Sequence, residues 1–444
     1  MLSVLKNRHV LSLAGNGVMA VFSILTYSIL YRVLSGEDTG NWIFFQFAFL
    51  LLDTFRTGLL QTALIKFYAG STEARKATVA GSAWYISLLV TGAFVALNLL
   101  SLPFRHHFSD AGVVTLLLYF GLSLLVTLPY NVAIWILQAE QRFDSILYIR
   151  LLNQGSFILL TLLLYVLQKV NLQSVVYSFL ASSLLTSAVA LAMGWTRIGS
   201  LQHKTRECVQ EVFRFGKYSF GTFLCSNLLR SSDTFIIKFM LGPAALAVYS
   251  LPQRLLEIIE IPLRSGLATA MPDMSAAVNR QRTDEVAYTL KKYSGLLTLL
   301  FIPIAVGVLL FADVIVSLIG GGKYNHTEAA NIYRILIVCA ILFPIDRFLG
   351  VTLDIINKPH INLIKVILAL IINASADIIC IKLTGSIYGA AAASIFTLLG
   401  SLAYGYWVLR KYLPLDFQDM FPLTLAELKT RSDGFFRKVR FSKS

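Results

Sequence analysis

Apolar residues run in blocks of twenty or more along nearly the whole chain, broken by short polar connections. The blocks predict membrane spans at 10–33, 41–65, 78–102, 112–137, 146–168, 173–195, 215–240, 244–270, 293–319, 330–354, 361–384 and 387–410. At about 1.5 Å per residue, each covers the roughly 30 Å of a bilayer's hydrocarbon core. Turn signals fall between them: Ser35-Gly36-Glu37-Asp38, Gly242-Pro243, Gly320-Gly321-Gly322 and Lys358-Pro359. The pattern predicts an all-α polytopic membrane protein of about twelve transmembrane helices, with no soluble domain large enough for chemistry outside the bilayer. Lys6 and Arg8 before the first block resemble a signal peptide. The block continues to about Tyr31 without a small-residue cleavage site, so it reads as an uncleaved first helix.

Composition agrees. Of 444 residues, 56% are hydrophobic and 14% charged, with a mean hydropathy of +0.70, whereas a soluble domain is about one quarter charged. The net charge of +14 does not indicate nucleic acid. With the N-terminus placed in the cytoplasm, 26 Lys and Arg fall on the cytoplasmic side, seven opposite and five within spans. That bias predicts both termini in the cytoplasm. Four cysteines without a CxxC pair suggest neither a disulfide framework nor a metal site. His106 and His107 have no further ligands nearby in sequence, and Gly320-Gly321-Gly322-Lys323 lacks the spacing and the Ser or Thr of a phosphate loop.

The halves look related. Arg32-Val33-Leu34-Ser35-Gly36 is echoed by Lys238-Phe239-Met240-Leu241-Gly242, 206 positions later, and Leu137–Arg142 by Leu353–Lys358, at an offset of 216. Six spans per half starting on one side imply parallel repeats about an axis along the membrane normal. The expected organisation is an N-terminal six-helix lobe (1–195), a polar cytoplasmic linker (196–214), a C-terminal six-helix lobe (215–411) and a basic tail (412–444). The tail combines Arg431, Arg437, Lys438, Arg440 and Lys443 with Phe435, Phe436 and Phe441. That composition suits anionic headgroups, or it merely obeys the positive-inside rule.

Ionisable groups inside the spans carry the functional signal, because each costs roughly 2.5–3.5 kcal/mol at membrane depth on insertion scales. Span two holds Asp53 and Arg56, and span seven Arg230 and Asp233, both pairs at i,i+3 spacing; Asn227 lies one turn earlier. Span eight carries Arg254, Glu257, Glu260 and Arg264 near one stripe. Span ten holds Asp346, Arg347 and Asp354, and span eleven Asn373 and Asp377. The functional reading is a polar cavity between two lobes. The alternative is structural self-pairing, notably Asp53–Arg56, Arg230–Asp233 and Glu260–Arg264. Pro129, Pro262, Pro303 and Pro344 supply kinks within spans.

Further features carry a resemblance: Leu34-Ser35-Gly36-Glu37-Asp38-Thr39-Gly40, Gly58–Ala63, Phe215-Gly216-Lys217-Tyr218-Ser219 and Asp233–Gly242 running into Val248-Tyr249. Pro272, Gly321-Gly322-Lys323-Tyr324 and Tyr388–Ala393 complete the set. In their order and spacing, over residues 8–411, they resemble the Wzx-like polysaccharide flippases of the multidrug/oligosaccharidyl-lipid/polysaccharide exporter superfamily. The resemblance implies two six-helix lobes around a central cavity, as in MATE transporters, and alternating access. The implied substrate is a polyprenyl-pyrophosphate-linked oligosaccharide crossing a bacterial inner membrane, with H+ or Na+ as coupling ion and no cofactor. It makes Arg56 and Arg230, then Arg254, Arg264 and Arg347, candidates for the pyrophosphate. Asp53, Asp233, Glu257, Glu260 and Asp377 become candidates for ion coupling. Implied partners are the lipid-linked glycan, membrane lipids and other glycan-assembly proteins.

The resemblance also leaves a MATE-like drug or small-molecule antiporter as an alternative. A membrane-embedded glycosyltransferase or polymerase is less well supported, because such enzymes present acidic residues in a substantial external loop. Here Asp38, Asp110 and Glu328 are scattered singly on short loops.

Overall fold

The computed structural model describes residues 8–424, and among them every regular element is helical. Thirteen α-helices follow one another: α1 (Arg8–Val33), α2 (Gly36–Tyr68), α3 (Glu73–Ser101), α4 (Ala111–Ala139), α5 (Phe143–Val166), α6 (Leu172–Ala192), α7 (Arg206–Leu241), α8 (Pro243–Asn279), α9 (Thr283–Gly320), α10 (Ala329–Ala340), α11 (Phe343–Ile355), α12 (Pro359–Thr384) and α13 (Tyr388–Leu409). Helix starts are where short polar side chains can satisfy free amides. Ser35, Thr72, Asp110 and Thr205 each accept from an amide of the first turn, and Asn171 forms a capping box with Ser174. Gly385 closes α12 in the left-handed region (φ 64°), where a glycine pays no Cβ penalty.

Among the described residues, eight helices are long and apolar enough to cross a membrane: α2, α3, α4, α5, α6, α9, α12 and α13. The tenth expected span is broken into α10 and α11, bent by 47°, with Pro344 in the first turn of the second piece. Together that pair would make a ninth. The other three expected spans coincide with α1, α7 and α8. The described apolar part of α1 is short, Gly17–Val33, while α7 and α8 carry the charges that make them functionally interesting.

The later part of the expected linker is helical. Residues 206–214 open α7 as a continuous helix, because Cys208, Val212 and Gly216, spaced by four, bury one seam. Cys208 and Val212 join a core with Leu60, Tyr68, Ala80, Trp84 and Ile136. A Cβ on Gly216 would lie 2.1 Å from the carbonyl oxygen of Leu59, so α2 and α7 touch backbone to backbone there.

The chain divides into two compact units. The first holds residues up to Ser250 together with Ser317–Asn325; the second holds Leu251–Val316 and the chain from His326 onward. The first unit has a second core, in which Trp42 stacks on Phe45 and on Phe157, each at 5.7 Å. In the second, Phe348, Leu349 and Leu353 of α11 are buried, as are Ala390, Ala391 and Ala393 of α13. Expectations about the tail beyond residue 424 lie outside the described residues.

Candidate functional site

In the first unit, α2 brings Asp53 and Arg56 onto one face at i,i+3 spacing, and they form an ion pair. Arg56 is fully buried. Its Nη1 donates to the Leu124 carbonyl at 2.8 Å, and Nη2 donates to Asp53 and to Thr127 Oγ1 at 3.1 Å, both acceptors beyond Asp53 belonging to α4. Thr57 donates to the other Asp53 oxygen at 2.8 Å. A desolvated guanidinium needs this density of acceptors, because an uncompensated buried charge is costly. In this conformation the charge is directed into packing, so a phosphate could reach it only by displacing Asp53.

Helix α7 runs alongside α2, and Asn227 Nδ2 donates to Thr54 Oγ1 at 2.7 Å. Arg230 is exposed, while Asp233 is buried and accepts from Tyr249 Oη at 3.1 Å. At the end of α7, Lys238 turns inward: Nζ donates to Asn41 Oδ1 and, at 2.8 Å, to Asp110 Oδ2. Burial alone would raise the Asp110 pKa. The ammonium and the amides of Val113 and Gly112 outweigh that and hold it below its ordinary value.

In the second unit the candidates form two groups on α8. Arg254 pairs with Glu257 at 2.9 Å. Glu260 receives Arg264 at 2.8 Å and Arg347 of α11 at 3.6 Å. The two arginine side chains are 68% and 58% exposed, so this carboxylate holds two guanidiniums together without burying them. Pro252, Pro262 and Pro272 interrupt the α8 amide ladder around these groups. Asp377 and Asn373 are buried on α12, one turn apart.

Two clusters escaped the sequence reading. Lys238 ends a helix, and by position it reads as a loop charge; only the fold brings it against Asn41 and Asp110. Lys365, near the start of the expected span 361–384, is not among the candidate charges. It lies buried in α12 and donates to the carboxylate and carbonyl of Asp346 at 2.6 and 3.0 Å, while Ser401 donates to the same carboxylate at 2.6 Å. No local signal marks either partnership.

These arrangements offer guanidinium groups for phosphate-like anions and carboxylates for proton or ion exchange. Among the described residues no group of three or more His, Cys, Asp or Glu is placed to hold a metal ion.

A sequence profile described as "Polysaccharide biosynthesis protein" matches residues 29–329. The probable low-salt glycan biosynthesis flippase Agl15 of Haloferax volcanii is 21% identical over 68% of this chain; the match spans 62% of that protein's length. The fold is shared with the lipid II flippase MurJ in an inward closed conformation, with a TM-score of 0.75, 16% identity, and 94% of this chain and 91% of that one covered. A multidrug resistance MATE family transporter of the MOP superfamily, in an outward-facing conformation, gives 0.63 at 16% identity over 91% of this chain and 94% of that one.

Proposed function

We propose that this chain, which belongs to the polysaccharide biosynthesis protein family, is a flippase for a lipid-linked oligosaccharide, with a polyprenyl-pyrophosphate carrier, in a bacterial cytoplasmic membrane. The observation that carries this reading is the reach of the family match. Residues 29–329 include α2, α7 and α8, which hold Arg56, Arg230, Arg254 and Arg264 inside the expected spans.

The physics fits such a task. Sugar hydroxyls and a pyrophosphate lose too much hydration to enter hydrocarbon unaided. Polar and charged groups at membrane depth supply replacement partners, while the polyprenyl tail stays in lipid. Arg264 and Arg347, both open and joined through Glu260, are the best-presented guanidiniums for the pyrophosphate. Arg254 and Arg230 are secondary positions, and Arg56 contributes only if its pair with Asp53 opens. Asp233, Glu257, Glu260 and Asp377 are candidates to exchange H+ or Na+ through the cycle. The proline-interrupted α8 and the broken α10–α11 pair give the bundle places to bend. No covalent step is required.

Reconstitution tests it. Purified protein in liposomes with a fluorescent polyprenyl-pyrophosphate oligosaccharide should bring the sugar within reach of a glycosidase confined to one side, faster with an ion gradient. Protein-dependent exposure lowered by Arg264→Gln with Arg347→Gln supports the reading. Folded protein that moves no lipid-linked glycan but extrudes small organic cations would instead establish the MATE-like antiporter.

A further inference from the structure

The first turns of α7 carry a feature that translocation does not use. A helix of 36 residues is about 54 Å long, against about 30 Å of hydrocarbon. Its packing shows which end projects. Gly216 meets Leu59 of the antiparallel α2, nine residues before that helix's cytoplasmic end at Tyr68 under the predicted orientation, so α7 enters the headgroup layer ahead of Gly216, and Lys217, just inside, reaches it by its long side chain. On this stretch Cys208, Val212 and Gly216 form the buried seam. The opposite stripe, at spacings of four, four and three, reads Arg206, Gln210, Arg214 and Lys217, all exposed.

The surroundings match an interfacial surface. Phe213 and Tyr218 flank the stripe at 52% and 72% exposure. Neighbouring cations lean on rings: Lys217 on Tyr218 at 5.1 Å, Lys66 on Phe215 at 4.1 Å and Lys204 on Tyr85 at 4.0 Å. The segment holds two acidic residues, Glu207 and Glu211, both exposed. Glu211 pairs with Arg75 of α3, and Glu207 sits in the first turn, where it complements the helix dipole. The stripe itself carries three cations and no carboxylate and is rimmed by aromatics, the chemistry that suits a phosphate-bearing lipid surface.

We infer that the Arg206–Arg214–Lys217 stripe of α7, flanked by Phe213 and Tyr218, is a binding surface for anionic phospholipid headgroups of the cytoplasmic leaflet. Charge complementarity selects the occupant, and the seam-opposed geometry keeps the stripe accessible while α7 stays packed on α2 and α3. The inference does not depend on the flippase reading, since no glycan enters it.

The test uses the full chain in phosphatidylcholine vesicles containing spin-labelled phosphatidylglycerol or, separately, spin-labelled phosphatidylcholine. The ratio of motionally restricted label measures anionic preference. Replacing Arg206, Arg214 and Lys217 with Gln should abolish most of that preference, with each single change lowering it by up to about fivefold. Added salt should weaken it in the parent protein. A control carrying Arg280→Gln and Lys291→Gln, cytoplasmic-side charges elsewhere, should retain it. The three single variants keep the test decisive if the triple one folds poorly. Unchanged preference in all the stripe variants overturns the inference. So does equal loss in the control, which would mean a diffuse positive-inside field, or a preference displaced by inorganic pyrophosphate at low concentration, which would mean a substrate site.

Discussion

Lys238 Nζ lies 2.8 Å from Asp110 Oδ2, joining the last turn of α7 to the N-cap of α4 across 128 positions of sequence. The lysine side chain is fully buried and the aspartate 38% exposed. The partners are therefore not equivalent: water can solvate the carboxylate if the ammonium goes, but not the reverse.

The asymmetry sets the first prediction. Asp110→Ala strands a buried ammonium and should destabilise by about 3–5 kcal/mol. Lys238→Met leaves a partly hydrated carboxylate and fills the same space, so about 1–2 kcal/mol is expected. The thermal unfolding midpoint in detergent should fall further for Asp110→Ala. Equal shifts would contradict the proposed imbalance.

The same pair predicts an acid limb. Because the folded Asp110 pKa is depressed, its stabilisation is fully present above the unfolded value of about 3.9 and fades as pH falls through the lower folded value. The midpoint difference between parent and Asp110→Asn should be flat from neutral pH to about 5 and shrink below about 4. A difference that instead shrinks between pH 6 and 8 would assign the effect to another group.

Close approach of α2 and α7 predicts a pair of opposite outcomes. At Gly216 an added Cβ would sit 2.1 Å from Leu59 O, whereas at Gly221 it would meet nothing within 4 Å. Gly216→Ala must push two backbones apart and should cost about 1–3 kcal/mol. Gly221→Ala should gain up to about 1 kcal/mol of helix propensity. Monodisperse yield and thermal midpoint on size exclusion read both changes.

Arg56 and Arg347 should separate stability from transport. Arg56→Gln breaks a buried pair and should cost about 3–5 kcal/mol, part of it recovered by adding Asp53→Asn. Arg347→Gln removes one 3.6 Å contact of a side chain 58% exposed, so its stability should stay within about 0.5 kcal/mol. Its glycan exposure rate in liposomes should nonetheless fall. Unchanged transport in Arg347→Gln would remove that residue from the proposed pyrophosphate site.

Partnerships one helical turn apart were legible before any fold was known. Asp53–Arg56 and Glu260–Arg264 pair as their spacings of three and four predict, because neighbours on one helix meet whatever surrounds them. The first turns of α7 show the limit of that reading. Charges at 206, 207, 211 and 214 make the segment look like a linker, and its seam of Cys208, Val212 and Gly216 is too sparse to register without the α2 and α3 surfaces that cover it.

The sequence by itself determined the solvent this protein lives in and its helical class, since runs of apolar side chains and the bilayer's demand for internally satisfied backbone leave few alternatives. Its turn signals at Ser35, Gly242 and Lys358 fall at helix ends, whereas the caps Thr72 and Thr205 start α3 and α7 several residues before the expected spans. Tertiary structure alone decided which charges face packing and which stay open. Arg56 and Arg347 carry the same guanidinium in expected spans, yet one is enclosed by α4 and the other is exposed beside α8. Lys238 and Lys365 found carboxylates 128 and 19 positions away. Such pairings depend on which helices lie side by side and how each is rotated, and a one-dimensional pattern of apolar blocks does not specify either.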